Sequence, residues 1–159
     1  MLIEISPLWI VIVNCAGITA AHLGIGFWSM RRALAAFDPQ TFPYRPADWE
    51  NSGKVYRTFF RIHLWKIILP DGARWFDGFS KSKLRSTDPT YLRQFILETC
   101  RGEQSHWLQF LVILTFIAWT PFPASLAIIS YAAISNVPCI MNLRQIRFRL
   151  QILLGKKSR

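Results

Sequence analysis

Two long apolar stretches, residues 8–30 and 107–141, dominate the pattern of hydrophobic and polar positions along this chain. Neither stretch contains a single Asp, Glu, Lys or Arg. A helix of a water-soluble domain needs a polar face at every turn, so stretches of this length without charge are typical of helices in a lipid bilayer. The pattern predicts an all-α integral membrane protein.

The first stretch has the length of one transmembrane helix, because its 23 residues, at about 1.5 Å each, cover the roughly 30 Å hydrocarbon core. The second stretch has 35 residues, which is too long for one span, and Pro121-Phe122-Pro123 interrupts it where proline would break a helix. We therefore predict a hairpin whose first arm extends back to His106. The predicted spans are about residues 8–30, 106–120 and 123–142.

The basic residues predict the orientation of these spans. All 19 Lys and Arg lie within residues 31–101 and 144–159, and basic residues are retained on the cytoplasmic side of a membrane. The N-terminus is then outside, and residues 31–105 and 143–159 are cytoplasmic parts of a single domain, residues 1–159. A cleaved signal peptide is the competing interpretation, but such peptides begin with positive residues and the only early charge here is Glu4. We expect an uncleaved anchor in the cell membrane.

The formal net charge of +10 is spread over membrane-adjacent segments rich in Trp and Phe. Attraction to anionic lipid, worth about 1 kcal/mol per basic residue near the surface, explains it more simply than nucleic acid does. We therefore expect membrane lipid and no nucleic acid as a partner. The three cysteines lie at separate places and predict neither a disulfide framework nor a thiolate metal site. We expect no metal and no cofactor.

The segment between the first span and the hairpin alternates aromatic and basic residues. Asp48 is a candidate cap for a helix that runs to about Ile68, with apolar side chains at helical spacing. Such a helix lies either in the membrane interface or against the other helices, and the sequence does not separate the two. Farther along, Leu69-Pro70-Asp71-Gly72 predicts a turn, and Asp88-Pro89 predicts the start of a long helix that enters the hairpin.

A run of ten residues that ends at Trp107 holds the groups suited to chemistry, among them Glu98, Arg101, Glu103 and His106. At about 100° per residue, Glu103 and His106 lie about 60° apart and one turn from each other, and Glu98 lies on the same side two turns back. A carboxylate that holds an imidazole in one tautomer makes its other nitrogen a general base for a hydroxyl. His106 with Glu103 or Glu98 is such a pair. The alternative is a solvated polar collar, with Trp107 as an interfacial anchor.

Two further features belong to the spans themselves. His22 has no acidic neighbour, but an imidazole inside a span needs a partner and is able to line a polar cavity. Asn136 and Pro138 are expected to interrupt the last span near its cytoplasmic end. Three arginines follow it: Arg144, Arg147 and Arg149. They predict a clamp for phosphate or carboxylate, and the alternative is ordinary anchoring by positive charge.

At these residues the chain resembles the glycosyl-4,4'-diaponeurosporenoate acyltransferase family, small membrane enzymes that esterify a fatty acyl chain onto the sugar of a glycosylated carotenoid in staphyloxanthin-type pigment synthesis. The resemblance covers most of the chain after Met30. The motifs that carry it are Gly53-Lys54, Trp65-Lys66 with Leu69-Pro70-Asp71-Gly72, Gly78-Phe79-Ser80-Lys81, Glu98-Thr99-Cys100-Arg101-Gly102-Glu103 with His106-Trp107, Asn136-Val137-Pro138, and Arg144, Arg147, Arg149 and Leu150.

The C-terminal motif departs from the family pattern. Where the family tends to have Gln-Arg-Tyr-Asn-Arg-Pro-Arg-Leu, this chain has Leu143, Gln145, Ile146 and Phe148 in place of the Gln, Tyr, Asn and Pro. We expect the loss of these polar groups to bear on the specificity for the sugar or the carotenoid.

The residues and the resemblance together predict acyl transfer at the cytoplasmic membrane surface, from a fatty acyl donor to a sugar hydroxyl of a glycosylated carotenoid or a similar glycolipid. The chemistry predicts His106 as the base, Glu103 or Glu98 as its orienting partner, and Arg101 as a group that stabilises oxyanion charge. The candidate substrate-binding residues are Trp65, Lys66, Asp71, Lys81, Trp107, Asn136, Arg144, Arg147 and Arg149.

Two alternatives stay open at the level of the sequence. One is another lipid-modifying transferase, such as a methyltransferase, although the chain has no nucleotide-binding fingerprint. The other is a non-catalytic membrane scaffold that holds pathway enzymes through its aromatic and basic cytoplasmic face. The chain lacks the His-x-x-x-x-Asp box of glycerolipid acyltransferases, so its mechanism has to differ from theirs.

Overall fold

The structure, a computed structural model, describes residues 6–69, 78–79, 81 and 83–157. These residues form helices joined by turns and loops, which confirms the predicted all-α class. Their α-helices are α1 (Pro7–Arg31), α2 (Lys54–Thr58), α3 (Ile62–Trp65), α4 (Pro89–Leu114) and α5 (Ala124–Lys157). Short 3₁₀ helices cover Leu34–Ala36, Asp48–Gly53, Lys66–Ile68 and Thr115–Ala118.

Helices α1 and α5 are long and apolar enough to cross a membrane, judged by their length and composition. Only 6% of the most apolar window of α1 and 28% of that of α5 is buried inside the protein. A core helix of a soluble protein would be mostly buried, so these exposed apolar surfaces suit a hydrocarbon environment. Two of the predicted spans thus coincide with such helices. The span 106–120 lies on the more polar α4 and stays a prediction, as do the number of crossings and their orientation.

The start of α4 and the hairpin follow their sequence signals. The carboxylate of Asp88 accepts hydrogen bonds from the backbone N–H groups of Thr90 (2.9 Å) and Tyr91 (3.2 Å). Pro89 occupies the first turn, where its missing N–H is not needed. After α4 and a 3₁₀ turn the chain reverses through Pro121-Phe122-Pro123 into α5. The predicted cap and the predicted reversal of the chain are confirmed, and the membrane crossing of the hairpin stays a prediction.

The predicted interruption at Asn136 and Pro138 is wrong, because α5 runs as one helix through both residues. Proline removes a single backbone donor, and a helix packed against a neighbour tolerates that loss. The helix also continues through residues 143–157, so the basic tail and the last apolar tract belong to one element.

The predicted single helix from Asp48 to about Ile68 is also wrong. The chain forms four short helical pieces there, because a right-handed helix does not continue through residues with positive φ. These residues are Asn51 (46°), Ser52 (52°), Gly53 (82°) and Arg61 (47°). The first piece is held by Glu50, whose Oε2 accepts from the backbone N–H of Ala47 (2.6 Å), and not by a cap from the side chain of Asp48.

This segment is nevertheless fixed to the rest of the protein. Tyr56 and Ile62 are almost fully buried and pack against Phe148 of α5, with Trp65 and Met141 at the edge of the cluster. Helix α4 in turn packs against both α1 and α5. The polar side chains of α4 therefore lie close to both of the other long helices.

The backbone at Gly53 generates a stability prediction. An alanine Cβ at this positive φ would lie 3.0 Å from Cβ of Phe148, so Gly53→Ala combines backbone strain with crowding. We expect a loss of about 1–3 kcal/mol, measured as a lower thermal unfolding midpoint of the detergent-purified protein. Gly24→Ala is the matched control, because an added Cβ there meets no atom within 4 Å and alanine is favoured inside a helix. Equal midpoints for the two variants would contradict the prediction.

Candidate active site

The largest polar cluster is a buried ion network of Glu50, Glu103, Arg144 and Arg147. Arg144 donates Nε and Nη2 to the Glu50 carboxylate (2.6 and 2.7 Å) and Nη1 to Glu103 (2.7 Å). Arg147 donates Nη2 to the other oxygen of Glu103. Both carboxylates are 0% exposed. Two carboxylates and two guanidinium groups balance each other, so the network is neutral although it is buried.

Arg144 is saturated within the protein. Besides the two carboxylates, its Nη1 donates to the carbonyl of Pro43 (2.7 Å) and its Nη2 to the carbonyl of Arg45 (3.0 Å). A guanidinium group has five N–H donors, and these five hydrogen bonds use all of them. Arg144 therefore has no donor left for a substrate.

The predicted clamp of three arginines is wrong. Arg144 and Arg147 bind carboxylates of the protein itself, and Arg147 also donates to the carbonyl of Tyr44 (3.1 Å). Arg149 is exposed and lies about 140° around the helix from Arg144. Since the three side chains do not converge on a common point, they do not form one site for phosphate or carboxylate.

Tyr56 completes the network beside Glu50 by donating its hydroxyl to Oε1. Burial alone would raise the pKa of Glu50, but the hydrogen bonds from Arg144, Tyr56 and the Ala47 amide outweigh burial and hold that pKa below its ordinary value. Burial and the bond to Glu50 raise the pKa of Tyr56, so the phenol stays protonated as a donor. The network is therefore built for a charged carboxylate at position 50.

A second group, the Glu98 cluster, consists of Lys81, Glu98 and Arg101. Arg101 donates Nη2 to both oxygens of Glu98 (2.6 and 2.8 Å), and Nζ of Lys81 lies 3.3 Å from Glu98 Oε2. On α1, Ser29 donates its hydroxyl to the backbone carbonyl of Arg101 (3.2 Å). The cluster has two cations and one carboxylate, and it joins α4 to the preceding loop and to the end of α1.

His106 is half-buried on α4 and hydrogen-bonds across the hairpin to α5. Its Nδ1 lies 3.1 Å from Oδ1 of Asn136. Nδ2 of Asn136 donates to the carbonyl of Ala132 (3.0 Å), which can only accept, so the amide oxygen has to face the imidazole. The neutral ring then carries its proton on Nδ1. Within the described part of the chain, Nδ1 is the ring nitrogen of His106 that makes a hydrogen bond, and none is found to Nε2.

The predicted carboxylate partner of His106 is therefore wrong. Glu103 and Glu98 both bind basic side chains, because a charge-assisted bond to a guanidinium group is stronger than a bond to a neutral imidazole. Asn136, predicted only as a substrate contact, orients the ring. The solvated collar is also excluded, because both carboxylates are buried.

His22 has partners on both other long helices. Its Nδ1 lies 3.1 Å from Oε1 of Gln109, and Nε2 of Gln109 donates to the carbonyl of His22 (3.3 Å). Nε2 of His22 lies 3.1 Å from the hydroxyl of Tyr131, and Ser105 completes this His22 cluster through Gln109 (3.4 Å). Both ring nitrogens are occupied, so the cluster links α1, α4 and α5 instead of presenting a base.

The remaining predicted residues lie in three places. Trp107 directly follows His106 and is partly exposed. Trp65 and Lys66 belong to the segment that packs on α5, where Trp65 lies beside Tyr56, Ile62 and Phe148. Asp71 lies outside the described residues. The sequence missed Glu50, since nothing local relates it to an arginine 94 residues later.

Other chemistries find little support among the described side chains. Burial raises the pKa of Cys100 to about 11, so this thiol is protonated near neutral pH and is a poor nucleophile. Cys15 and Cys139 are free as well. No group of three or more His, Cys, Asp or Glu in the described part of the chain is arranged to hold a metal ion.

Comparison with known proteins shows which family the chain resembles. A sequence model described as glycosyl-4,4'-diaponeurosporenoate acyltransferase matches residues 40–156, which include the buried ion network, the Glu98 cluster and the His106–Asn136 pair. A protein of that name from Staphylococcus haemolyticus is 27% identical over 141 residues, 88% of this chain and 82% of the relative. One from Staphylococcus aureus is 30% identical over 112 residues, 70% of this chain and 67% of the relative. No solved structure matches the chain.

The buried ion network generates a prediction for pH and stability. Because folding lowers the pKa of Glu50 below its ordinary value of 4.5, its contribution is present above that value and is lost as the pH falls through the depressed pKa. Glu50→Gln removes the charge and leaves the network unbalanced. We expect a loss of about 3 kcal/mol at pH 7 and a smaller further loss on acidification than in the wild type, measured by thermal unfolding between pH 7 and pH 3.

Asp48→Asn is the control for this experiment, because Asp48 is an exposed carboxylate two residues away. It should leave both the midpoint at pH 7 and its pH dependence close to wild type. A Glu50→Gln midpoint as high as that of Asp48→Asn at pH 7 would show that the network does not stabilise the fold.

Proposed function

Because the chain belongs to the glycosyl-4,4'-diaponeurosporenoate acyltransferase family, we propose that it transfers a fatty acyl group to a sugar hydroxyl of a glycosylated carotenoid, with His106 as the general base. The family makes the chain an acyltransferase, and the names of the relatives supply the glycosylated carotenoid as acceptor. A methyltransferase or a scaffold without activity does not fit that membership. The fatty nature of the acyl group and the roles of the residues are our proposal.

The hydrogen bond between His106 and Asn136 is the observation that carries the mechanism. It places the proton of the neutral imidazole on Nδ1 and directs the lone pair of Nε2 away from α5. A base positioned in this way accepts a proton from a hydroxyl as the hydroxyl oxygen becomes a nucleophile. The neutral amide of Asn136 orients the ring without adding a charge at the edge of the apolar tract.

The proposed reaction has two steps. The sugar hydroxyl gives its proton to Nε2 of His106 while its oxygen forms a bond to the acyl carbonyl carbon of the donor. The tetrahedral intermediate then collapses, the bond to the leaving group of the donor breaks, and that group takes the proton from the imidazolium. The products are the sugar ester and the deacylated donor, and the ring returns to its starting tautomer.

The position of His106 suits an acceptor with a polar head and a long apolar chain. Beyond His106, α4 continues into apolar residues, and the exposed apolar surfaces of α1 and α5 suit polyene and acyl chains. On its polar side, α4 has the side chain of Lys81 one turn before His106. A Cβ added there, at Gly102, would lie 3.7 Å from Cε of Lys81. We propose that Lys81 and Trp107 contact substrate, and that this end of the bundle faces the cytoplasm.

The arginines have a different role from the one that the sequence predicts. Arg101, Arg144 and Arg147 are bound to Glu98, Glu50 and Glu103. We propose that they fix the helices around His106 and do not stabilise the oxyanion directly. The ammonium group of Lys81, whose Cε would lie 3.7 Å from a Cβ added at Gly102, is the better candidate for the charge that develops on the acyl oxygen.

Replacing His106 tests the proposed base. His106→Ala should lower the conversion of a glycosylated carotenoid by about 100-fold or more, measured by chromatography of lipids from membranes of a heterologous host at equal protein level. His63→Ala is the matched control, because His63 is an exposed imidazole in another segment, and its activity should equal that of the wild type. Unchanged acylation by His106→Ala would remove His106 from the mechanism and leave the family-level reaction intact.

Replacing Asn136 separates positioning from packing. Asn136→Asp keeps an oxygen that accepts from Nδ1 of His106, whereas Asn136→Leu removes it, so we expect kcat to fall on the order of tenfold or more in the leucine variant only. KM should change little in either variant. If Asn136 only packs the bundle, the order reverses, because aspartate buries a carboxylate where leucine is tolerated. An aspartate variant less active than the leucine variant would therefore rule out the positioning role.

A further inference from the structure

The segment of residues 54–68 has one buried face and one open face. Tyr56 and Ile62 point into the protein and pack on α5. The opposite side exposes large apolar side chains by 63–90% of their surface. These are Phe59, Leu64, Ile67 and Ile68. So many exposed apolar groups close together mark a surface that something covers.

Basic residues surround these apolar side chains, and together they form what we call the interfacial face. The exposed basic residues are Lys54, Arg57, Arg61 and Lys66. Residues 54–68 contain no Asp or Glu, so four cations and no anions give this face a charge of +4. Aromatic and aliphatic groups flanked by cations are the composition of elements that lie in the headgroup layer of an anionic membrane.

The attachment to α5 sets the depth of this face. Ile134 and Val137 are exposed on the apolar part of α5, whereas Met141 and Phe148 are covered by the segment. At 100° per residue these four positions lie within about 60° of one another on the helix. Residue 141 is about 10 Å farther along the axis than residue 134. The segment thus begins to cover this side of α5 about one turn beyond the exposed Val137.

The buried ion network prevents the face from turning away. The hydroxyl of Tyr56 is bound to Glu50, and Glu50 is bound through two hydrogen bonds to Arg144 of α5. The segment therefore cannot rotate about its own axis without breaking buried charged contacts. Its exposed side keeps a fixed direction relative to the apolar surface of α5.

We propose that the interfacial face docks onto the acidic phospholipid surface of the same membrane that α1 and α5 cross. The apolar side chains enter the boundary between headgroups and acyl chains, and the cations bind the lipid phosphates. Continuity with the apolar surface of α5 and a charge of one sign favour lipid over a second protein. The segment thus packs on the protein through one face and on lipid through the other. This inference does not depend on the role of His106.

Depth measurements test the proposal on the full chain in lipid nanodiscs that contain phosphatidylglycerol. Single nitroxide labels are placed at Ile67, at Ile134 as the lipid reference and at Gln94, an exposed residue of α4, as the water reference. The native cysteines are replaced by alanine. We expect oxygen to relax the label at Ile67 more than a water-soluble nickel chelate does. The label at Ile134 should behave in the same way, and the label at Gln94 should be relaxed more by the chelate.

Three results would overturn the proposal. A label at Ile67 with the accessibility of Gln94 would show that the face is in water. A label that neither reagent reaches would show that protein covers the face, either a second copy or another partner. A water-like label at Ile134 would overturn the membrane placement of α5 and this proposal together.

A second measurement addresses the acidic lipid. Arg57→Gln removes one charge of the interfacial face. It should lower the association constant of spin-labelled phosphatidylglycerol, relative to that of phosphatidylcholine, by about fivefold at the lipid site beside residue 57. Arg93→Gln removes an exposed cation on α4, away from the interfacial face, and should leave the ratio unchanged. Equal ratios in the two variants would exclude binding of lipid phosphate by this face.

Discussion

The pairing of two buried carboxylates with two buried arginines is the constraint on which the rest of the structure depends. Taking charges out of water costs several kcal/mol per ion and is offset only when every donor and acceptor finds a partner. Arg144 meets this condition with five hydrogen bonds to acceptors from two regions of the chain, residues 43–50 and α4. The network therefore joins the segment after the first span to both arms of the hairpin. The network also binds Glu103, which lies one turn from His106. The imidazole is hydrogen-bonded to the amide of Asn136 instead.

The elements that the sequence predicts well are those that depend on local signals. Exclusion of charge gives the apolar helices, Asp88-Pro89 starts α4, and Pro121-Phe122-Pro123 turns the hairpin. The pieces around residues 48–68 were not predictable in this way. Their breaks come from left-handed Asn51, Ser52 and Arg61, and none of these residue types requires that conformation. Long-range packing against α5 imposes it, and no local pattern reports such packing.

The site shows the same division between local and distant effects. His106 stands out in the sequence, because an imidazole close to acids at the start of an apolar tract is an unusual combination, and its role as a base stays a proposal. Its hydrogen-bond partner was not predictable, because helical spacing ranks Glu103 first and takes no account of guanidinium groups 41 and 44 residues away. Residues of two family motifs that lie far apart in the sequence prove to be partners: Glu103 lies in one and Arg144 and Arg147 in the other. Their joint presence in the sequence was a signal of contact, and it is consistent with a structural role.

The continuity of α5 through Pro138 has a mechanical consequence. Asn136 and Arg144 belong to the same unbroken helix, eight residues or about 12 Å apart. A helix of this length behaves as a stiff rod, so a displacement imposed at its arginine end is transmitted along its axis to the amide that holds the imidazole of His106. The lipid contact that we propose for residues 54–68 would thus be linked to the orientation of the imidazole. In a soluble protein with the same polar residues, no helix would connect a lipid-bound surface to the imidazole in this way.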